Sequence, residues 1–192
     1  MLSGEVHSLA ELYERYSGAV FDYLLRVSGD RPLADDLTSE TFFRAMVALD
    51  GFRGEASVKT WLLRIARNLY LRRAERDRRT TSLEHLQEHG VSFAGKQLDP
   101  ETYLLRQERS HAIQRALLSL RESDRSILLL SARESMSCRE IGEVLDISVT
   151  AVKVRLYRAR RRLTSALDTE KVFAESSTAG QHRAEEDRNV EL

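Results

Sequence analysis

Proline and cysteine are scarce in this chain, and each scarcity rules something out. Two prolines in 192 residues leave long stretches without the residue that breaks a helix interior. One cysteine, Cys138, cannot close an internal disulfide, and no Cys/His cluster has the spacing of a zinc site. Cys138 therefore reads as a small buried hydrophobe or a plain surface thiol. No apolar run approaches the roughly 18 residues needed to span a bilayer, so membrane insertion is not expected. The first residues, MLSGEVHSLAELYERY, lack the basic start and apolar core of a secretory signal, which makes a cytoplasmic location the expectation. An excess of one charge is also missing, since 30 Lys and Arg balance 30 Asp and Glu.

That balance hides a sorting. Residues 1–50 carry a net −5, 51–80 a net +6, 81–110 a net −2, 111–168 a net +4 and the last 24 a net −3. Two basic blocks set between acidic ones suggest two nucleic-acid contacts and at least one partner of another kind. The densest block is SVTAVKVRLYRARRRL, residues 148–163. Val149, Val152, Leu156, Ala159 and Leu163 recur every three or four residues, the seam by which a helix packs on its domain. Lys153, Arg155, Arg158, Arg160, Arg161 and Arg162 must flank or oppose that seam with no acid among them, and a polyanion is the simplest partner. Just upstream, Ser137 and Glu140 have capping-box spacing and open a short helix carrying Ile141, Val144 and Leu145. Asp146-Ile147 breaks it, and Ser148 can cap the next helix. Helix, tight turn, helix is the plan that sets a second helix in the DNA major groove. An ordinary helical hairpin with a solvated basic face would have the same pattern.

The rest of the chain also reads as helical. Leu9, Leu12, Tyr16, Val20, Leu24 and Val27 follow a Ser8/Glu11 capping box until Gly29. Asp30-Arg31-Pro32 restarts a helix bearing Leu33, Leu37, Phe42, Ala45, Met46 and Leu49. A third runs from about Val58 to Arg78 with Trp61, Leu62, Ile65 and Leu69 inward, Trp61 as a core anchor. Residues 81–100 lose periodicity; His85 and His89 there read as a solvated pair and not a metal site. About twenty residues can reach about 65 Å, so the two halves need not touch. The expected fold is all-α: a helical domain at 8–80, a flexible linker at 81–100, a helix-turn-helix domain at 101–168 and a disordered acidic tail at 169–192. That tail offers an internal competitor for DNA on the basic helices, which deletion of residues 169–192 would test.

Three stretches, in order, resemble one family. ADDLTSETFFRA (34–45), FRGEASVKTWLLRIARN (52–68) and residues 116–163 are similar to the extracytoplasmic-function sigma factors, the minimal two-domain members of the bacterial sigma-70 class. The resemblance implies a non-catalytic transcription initiation factor without cofactor or metal. Its partners would be core RNA polymerase, promoter DNA and, as is usual in the family, an anti-sigma factor. It places polymerase contacts on Asp35, Asp36, Thr38, Glu40 and Phe42. The minus-ten element would fall to the loop Phe52, Arg53, Gly54, Glu55 and to Lys59, Arg64, Arg67 and Asn68 of the following helix. There a base leaves the stack while cations hold the strand. The minus-thirty-five element would meet Ser148, Thr150, Lys153, Val154, Tyr157 and Arg158. Lys153 can donate to guanine edges, Val154 and Tyr157 offer apolar contact, and Ser148 with Thr150 can bind phosphate at a helix N-terminus. Arg72 and Val154 depart from the family's usual residues, which bears on promoter preference. Two rivals remain on the residues alone. One is a helix-turn-helix regulator acting without polymerase, which has no use for the 52–68 motif. The other is a metal-dependent nuclease built on Asp35 and Asp36, which lacks a catalytic His or second acidic cluster.

Overall fold

The computed structural model describes the backbone of residues 9–52, 54–80 and 100–189, and the side chains of 10–49, 51–52, 54–77 and 107–169. Among the described residues every regular element is helical: α1 (Leu9–Ser28), α2 (Arg31–Ala48), a 3-10 turn (Leu49–Gly51), α3 (Val58–Thr80), α4 (Pro100–Ser119), α5 (Glu122–Ala132), α6 (Cys138–Leu145) and α7 (Val149–Asn189). The fold is all-α, with α1–α3 forming one helical domain and α4–α7 the other. No helix among the described residues is long and apolar enough to cross a membrane.

Each helix of the first domain starts and stops for local reasons. Leu12, Val20, Leu24 and Val27 of α1 are buried at the helical spacing that makes a single apolar stripe. Gly29 ends that helix at φ +74°, a left-handed conformation that glycine adopts without steric cost. Asp30 then caps α2, its carboxylate accepting from the Leu33 N–H at 3.0 Å, with Pro32 in the first turn. The inward face of α2 is Ala34, Leu37, Thr38, Thr41, Phe42 and Ala45. Thr38 and Thr41 enter the core because their hydroxyls donate back to the Ala34 and Leu37 carbonyls, both at 2.7 Å. Leu62, Leu63, Ala66, Leu69 and Tyr70 of α3 complete this core. Trp61, expected as a core anchor, is only partly buried, its ring tilted against Phe52 at 4.8 Å.

In the second domain the capping box is complete. Ser137 Oγ accepts from the Glu140 N–H and the Glu140 carboxylate accepts from the Ser137 N–H. The Ser137 hydroxyl also donates to that carboxylate at 2.7 Å, and this bond, with the one from the Ser137 N–H, holds the Glu140 carboxyl below its ordinary range. The turn into α7 works without glycine because Asp146 itself takes the left-handed conformation, φ 56° and ψ 51°, which Asp tolerates better than most residues. Gly142 stands where a side chain could not, since a Cβ there would lie 2.7 Å from the Ile147 carbonyl oxygen. The α6–α7 turn can thus fold tightly onto α6. Val152, Leu156 and Ala159 of α7 are buried and Leu163 packs on the same core, while Val149, expected on that seam, is exposed.

One expectation gives way. The helix of α7 continues to Asn189 where a disordered tail was expected from residue 169. No proline interrupts 164–189, and Ala, Glu, Lys, Arg and Gln there are good helix formers, with Gly180 the lone strong breaker. The two halves, free to lie apart, are packed together. A single apolar cluster runs from Leu24 and Val27 through Leu117, Leu120, Ile127 and Leu130 to Val152, at a gain of roughly 1.5–3 kcal/mol per large side chain buried. The linker at 81–99, with His85 and His89, and the Ser8 cap lie outside the described residues.

Candidate nucleic-acid interface

Helix α7 divides sharply by face. With Val152, Leu156 and Ala159 turned inward, Lys153, Val154, Arg155, Tyr157, Arg158, Arg160 and Arg161 are all exposed, Tyr157 at 64% and Val154 at 43%. Large apolar groups left in water amid cations suit a surface that meets DNA bases and phosphates together. Arg161 lies over the Tyr157 ring, 5.9 Å from its centroid. The hydroxyl of Ser148 accepts from the Ala151 N–H at 3.2 Å, capping the helix, and Thr150 is exposed beside it. Arg162 does not join this face. It pairs at 2.5 Å with Asp124, whose carboxylate is almost wholly buried, so it fastens α7 to α5.

The second group of expected DNA contacts lies around the start of α3. Gly54 and Glu55 are exposed, Gly54 at φ +71°, and Phe52 is half-buried against Trp61. Arg53 lies outside the described residues. Arg64 and Asn68 are exposed. Lys59 and Arg67, expected to hold the same strand, are engaged elsewhere. Lys59 Nζ meets the Glu134 carboxylate at 2.6 Å and donates to the Glu134 carbonyl at 3.1 Å. Arg67 Nε stands 3.6 Å from Glu122, an ion pair too long for a hydrogen bond, which leaves that nitrogen without one. Both acids belong to the second domain. Between the domains a cleft of about 1270 Å³ is lined by Phe52, Glu55, Trp61 and Arg64 on one side and by Arg139, Gly142, Glu143 and Ser148 on the other.

The third group, on α2, splits. Asp35 and Asp36 are exposed and Glu40 is half-buried, its carboxylate accepting from Arg44 at 2.6 Å. Thr38 is buried in the core, and Phe42, also buried, forms the floor of a small apolar pocket with Tyr13, Phe43 and Met46. The apolar surface beside the acids is Phe43, 61% exposed, with Met46, Val47 and, from α1, Tyr13, the last set edge-on to Phe42 at 4.9 Å. The sequence carried the signal for this split. Residues 34, 38, 41 and 45 make one helical row, but two of its members are threonines, and counting apolar residues alone passes over them. No group of three or more His, Cys, Asp or Glu among the described residues is placed to hold a metal.

Comparison with known proteins follows this division. Residues 12–80 match the family model of sigma-70 region 2, and residues 110–163 that of sigma-70 region 4. The chain is 33% identical over 156 residues to the RNA polymerase sigma factor YlaC of Bacillus subtilis (strain 168), covering 81% of this chain and 90% of that one. It is 31% identical over 171 residues to the ECF RNA polymerase sigma factor SigW of the same organism, covering 85% and 91%. Among solved structures, CnrH in complex with the cytosolic domain of CnrY is similar with a TM-score of 0.59 and 27% identity, over 87% of this chain and 92% of that one. The fold also resembles the sigma factor RpoE of Bartonella quintana, solved with the anti-sigma factor NepR, with a TM-score of 0.66 at 22% identity, over 85% and 98%.

Proposed function

This chain belongs to the extracytoplasmic-function subfamily of the sigma-70 RNA polymerase sigma factors, and from that premise we propose how its surfaces divide the work. As a sigma factor it directs core RNA polymerase to specific promoters and assists their opening; it is not an enzyme. The reading is carried by one observation, the outward face of α7, where Lys153, Val154, Tyr157 and Arg158 stand exposed over a buried seam. This face reads the minus-thirty-five element, Lys153 at base edges and Val154 with Tyr157 in apolar contact. Ser148 caps the helix, and Thr150 offers a hydroxyl to phosphate beside it. Arg155, Arg160 and Arg161 add backbone attraction, which carries affinity without sequence information.

The minus-ten element falls to Phe52–Glu55 with Lys59, Arg64, Arg67 and Asn68, cations that hold a strand whose base has left the stack. Polymerase binds the α2 surface of Asp35, Asp36 and Glu40 together with Phe43, Met46 and Val47, an apolar patch rimmed by charge as docking surfaces are. Specificity arises when polymerase holds both domains at a fixed separation, so that two weak contacts act as one. The factor works in the cytoplasm, where polymerase acts, and an anti-sigma protein is the inhibitor that the RpoE–NepR complex supports. The test is transcription from a promoter library by purified chain and core polymerase. Promoter-dependent transcripts that Lys153→Ala and Tyr157→Ala abolish are expected. Tight operator binding without polymerase would instead identify a stand-alone regulator.

A further inference from the structure

The outward side of α7 is not uniform, and its most prominent ridge is not the charged one. Val152, Leu156 and Ala159 are buried and Leu163 packs beside them, so these four fix the middle of the inward seam. At about 100° per residue, the line opposite that seam falls within about 50° of Thr150, Val154, Tyr157 and Arg161. Lys153 and Arg160 stand on one flank of this row, Arg155 and Arg158 on the other, and all eight are exposed. Two fastenings keep the helix in that orientation. Ser148 caps its first turn, and Arg162 is held by the Asp124 carboxylate of α5 at 2.5 Å. Rolling α7 to bring a cation to the crown would break that pair and lift Val152 and Ala159 out of the core.

A helix docked in the major groove carries its crown deepest, so the crown meets base edges while the flanks meet the phosphate walls. Here the crown is a threonine methyl, a valine and a phenol ring. On the major-groove edges of the four base pairs the one apolar group is the C5-methyl of thymine. We propose that Val154 and Tyr157 read two thymine methyl groups on neighbouring base pairs of the minus-thirty-five element, which rests on the assignment of α7 to that element. The two residues stand about 4.5 Å apart along the helix axis, close to the 3.4 Å step between base pairs, so each meets the methyl of one pair. Tyr157 is prepared for this contact. The Arg161 guanidinium lies 5.9 Å from its ring centroid, which steadies the ring and covers one face, leaving the edge and the other face for the methyl. A single exposed valine would mean little. A valine and a phenol 43% and 64% exposed, on the ridge farthest from the core and bordered by cations, shed their water when DNA covers them. Lys153 and Arg158, one on each flank, are left the guanine edges and phosphates at the sides of the groove.

Deoxyuridine tests this directly, because uracil keeps every hydrogen-bonding group of thymine and loses only the methyl. In a promoter recovered from the library, each thymine of the minus-thirty-five element is replaced in turn by uracil. Equilibrium binding of core polymerase carrying the full-length chain is then titrated, over a range wide enough to saturate weakened variants as well. At two neighbouring base pairs the replacement should weaken binding about three- to fivefold, the loss of one buried methyl group, and at other thymines it should change nothing. Val154→Ala should erase the uracil effect at one of the two positions and Tyr157→Ala at the other, whereas Tyr157→Phe, which keeps the ring, should retain it. Both side chains are exposed, so the melting temperatures of these variants should match wild type. An element without thymine at two neighbouring pairs, uracil without effect throughout, or an effect equally large in wild type and the alanine variants would overturn the methyl contact. If scrambling the whole element leaves binding unchanged, the assignment of α7 to it fails first, and the methyl contact falls with it.

Discussion

Tyr23 shows how much a single side chain can owe to a partner a hundred residues away. Its ring is buried and its hydroxyl is satisfied by Ser126 of the other domain, and burial holds the phenol far above its ordinary 10.0. The neutral form is the one the fold prefers. Its stabilisation is therefore complete below pH 10, where the unfolded chain's tyrosine is also neutral, and is lost as pH rises through the folded value. In an alkaline titration followed by phenolate absorbance, Tyr23 should ionise only as the fold itself melts, and Tyr23→Phe should remove one tyrosine's share of the absorbance gained at that melting step. An unchanged amplitude at that step in Tyr23→Phe would contradict it. The apolar spacing of α1 marks Leu24 and Val27 as buried from sequence alone. That Tyr23 beside them ends on Ser126 is invisible there, because nothing in either local pattern names the other.

Among the helices, α6 and its turn into α7 carry the clearest case of a position that looks wrong in one dimension. Glycine inside a helix costs up to about 1 kcal/mol against alanine, so Gly142→Ala would stabilise α6 if propensity decided the matter. The missing methyl would sit 2.7 Å from the Ile147 carbonyl oxygen, and a backbone atom in a tight turn has little room to move. Overpacking of this kind costs about 1–3 kcal/mol, so the close approach wins. Gly142→Ala should lower the melting temperature and weaken minus-thirty-five binding by tilting α7, whereas an unchanged or raised melting temperature would mean the turn yields. The sequence announces the start of α6, because Ser137 and Glu140 cap reciprocally through neighbours three apart. Its end is harder to read, since Asp146 adopts a conformation for which glycine is the usual marker. Arg162 is similar: six cations on one helix suggest one role, yet only the position of Asp124 separates the fastening arginine from those that face outward.

For the molecule as a unit, the reading of two helical domains joined by a linker holds, and whether the domains touch, which it left open, is answered by a shared core. Helical periodicity reports which face is apolar but not which partner covers it. Leu117, Leu120 and Ile127 fit an isolated second domain as well as they fit the shared cluster they join. A continuous core implies cooperative unfolding. The free chain should melt in calorimetry as one transition, and two well-separated ones would refute the union. Arg125, buried in α5, donates to the Val27 carbonyl at the end of α1 and to the Leu118 and Leu120 carbonyls at the end of α4, the latter two at 3.0 Å. Arg125→Ala deprives those three carbonyls of a charged donor, a loss of about 3 kcal/mol and hence roughly 6–12 °C for a chain of this size. It should also begin to resolve the transition into two, because the cap it removes spans both domains.

The cleft between the domains holds the chain's one tryptophan, Trp61. The protein thus carries its own dye at the seam. Indole emission shifts to the red as water gains access, so loosening of the seam in the isolated chain, by denaturant or by Arg125→Ala, should be visible as a red shift in unlabelled protein. The measurement needs only a fluorimeter and a single native chromophore placed between the two domains.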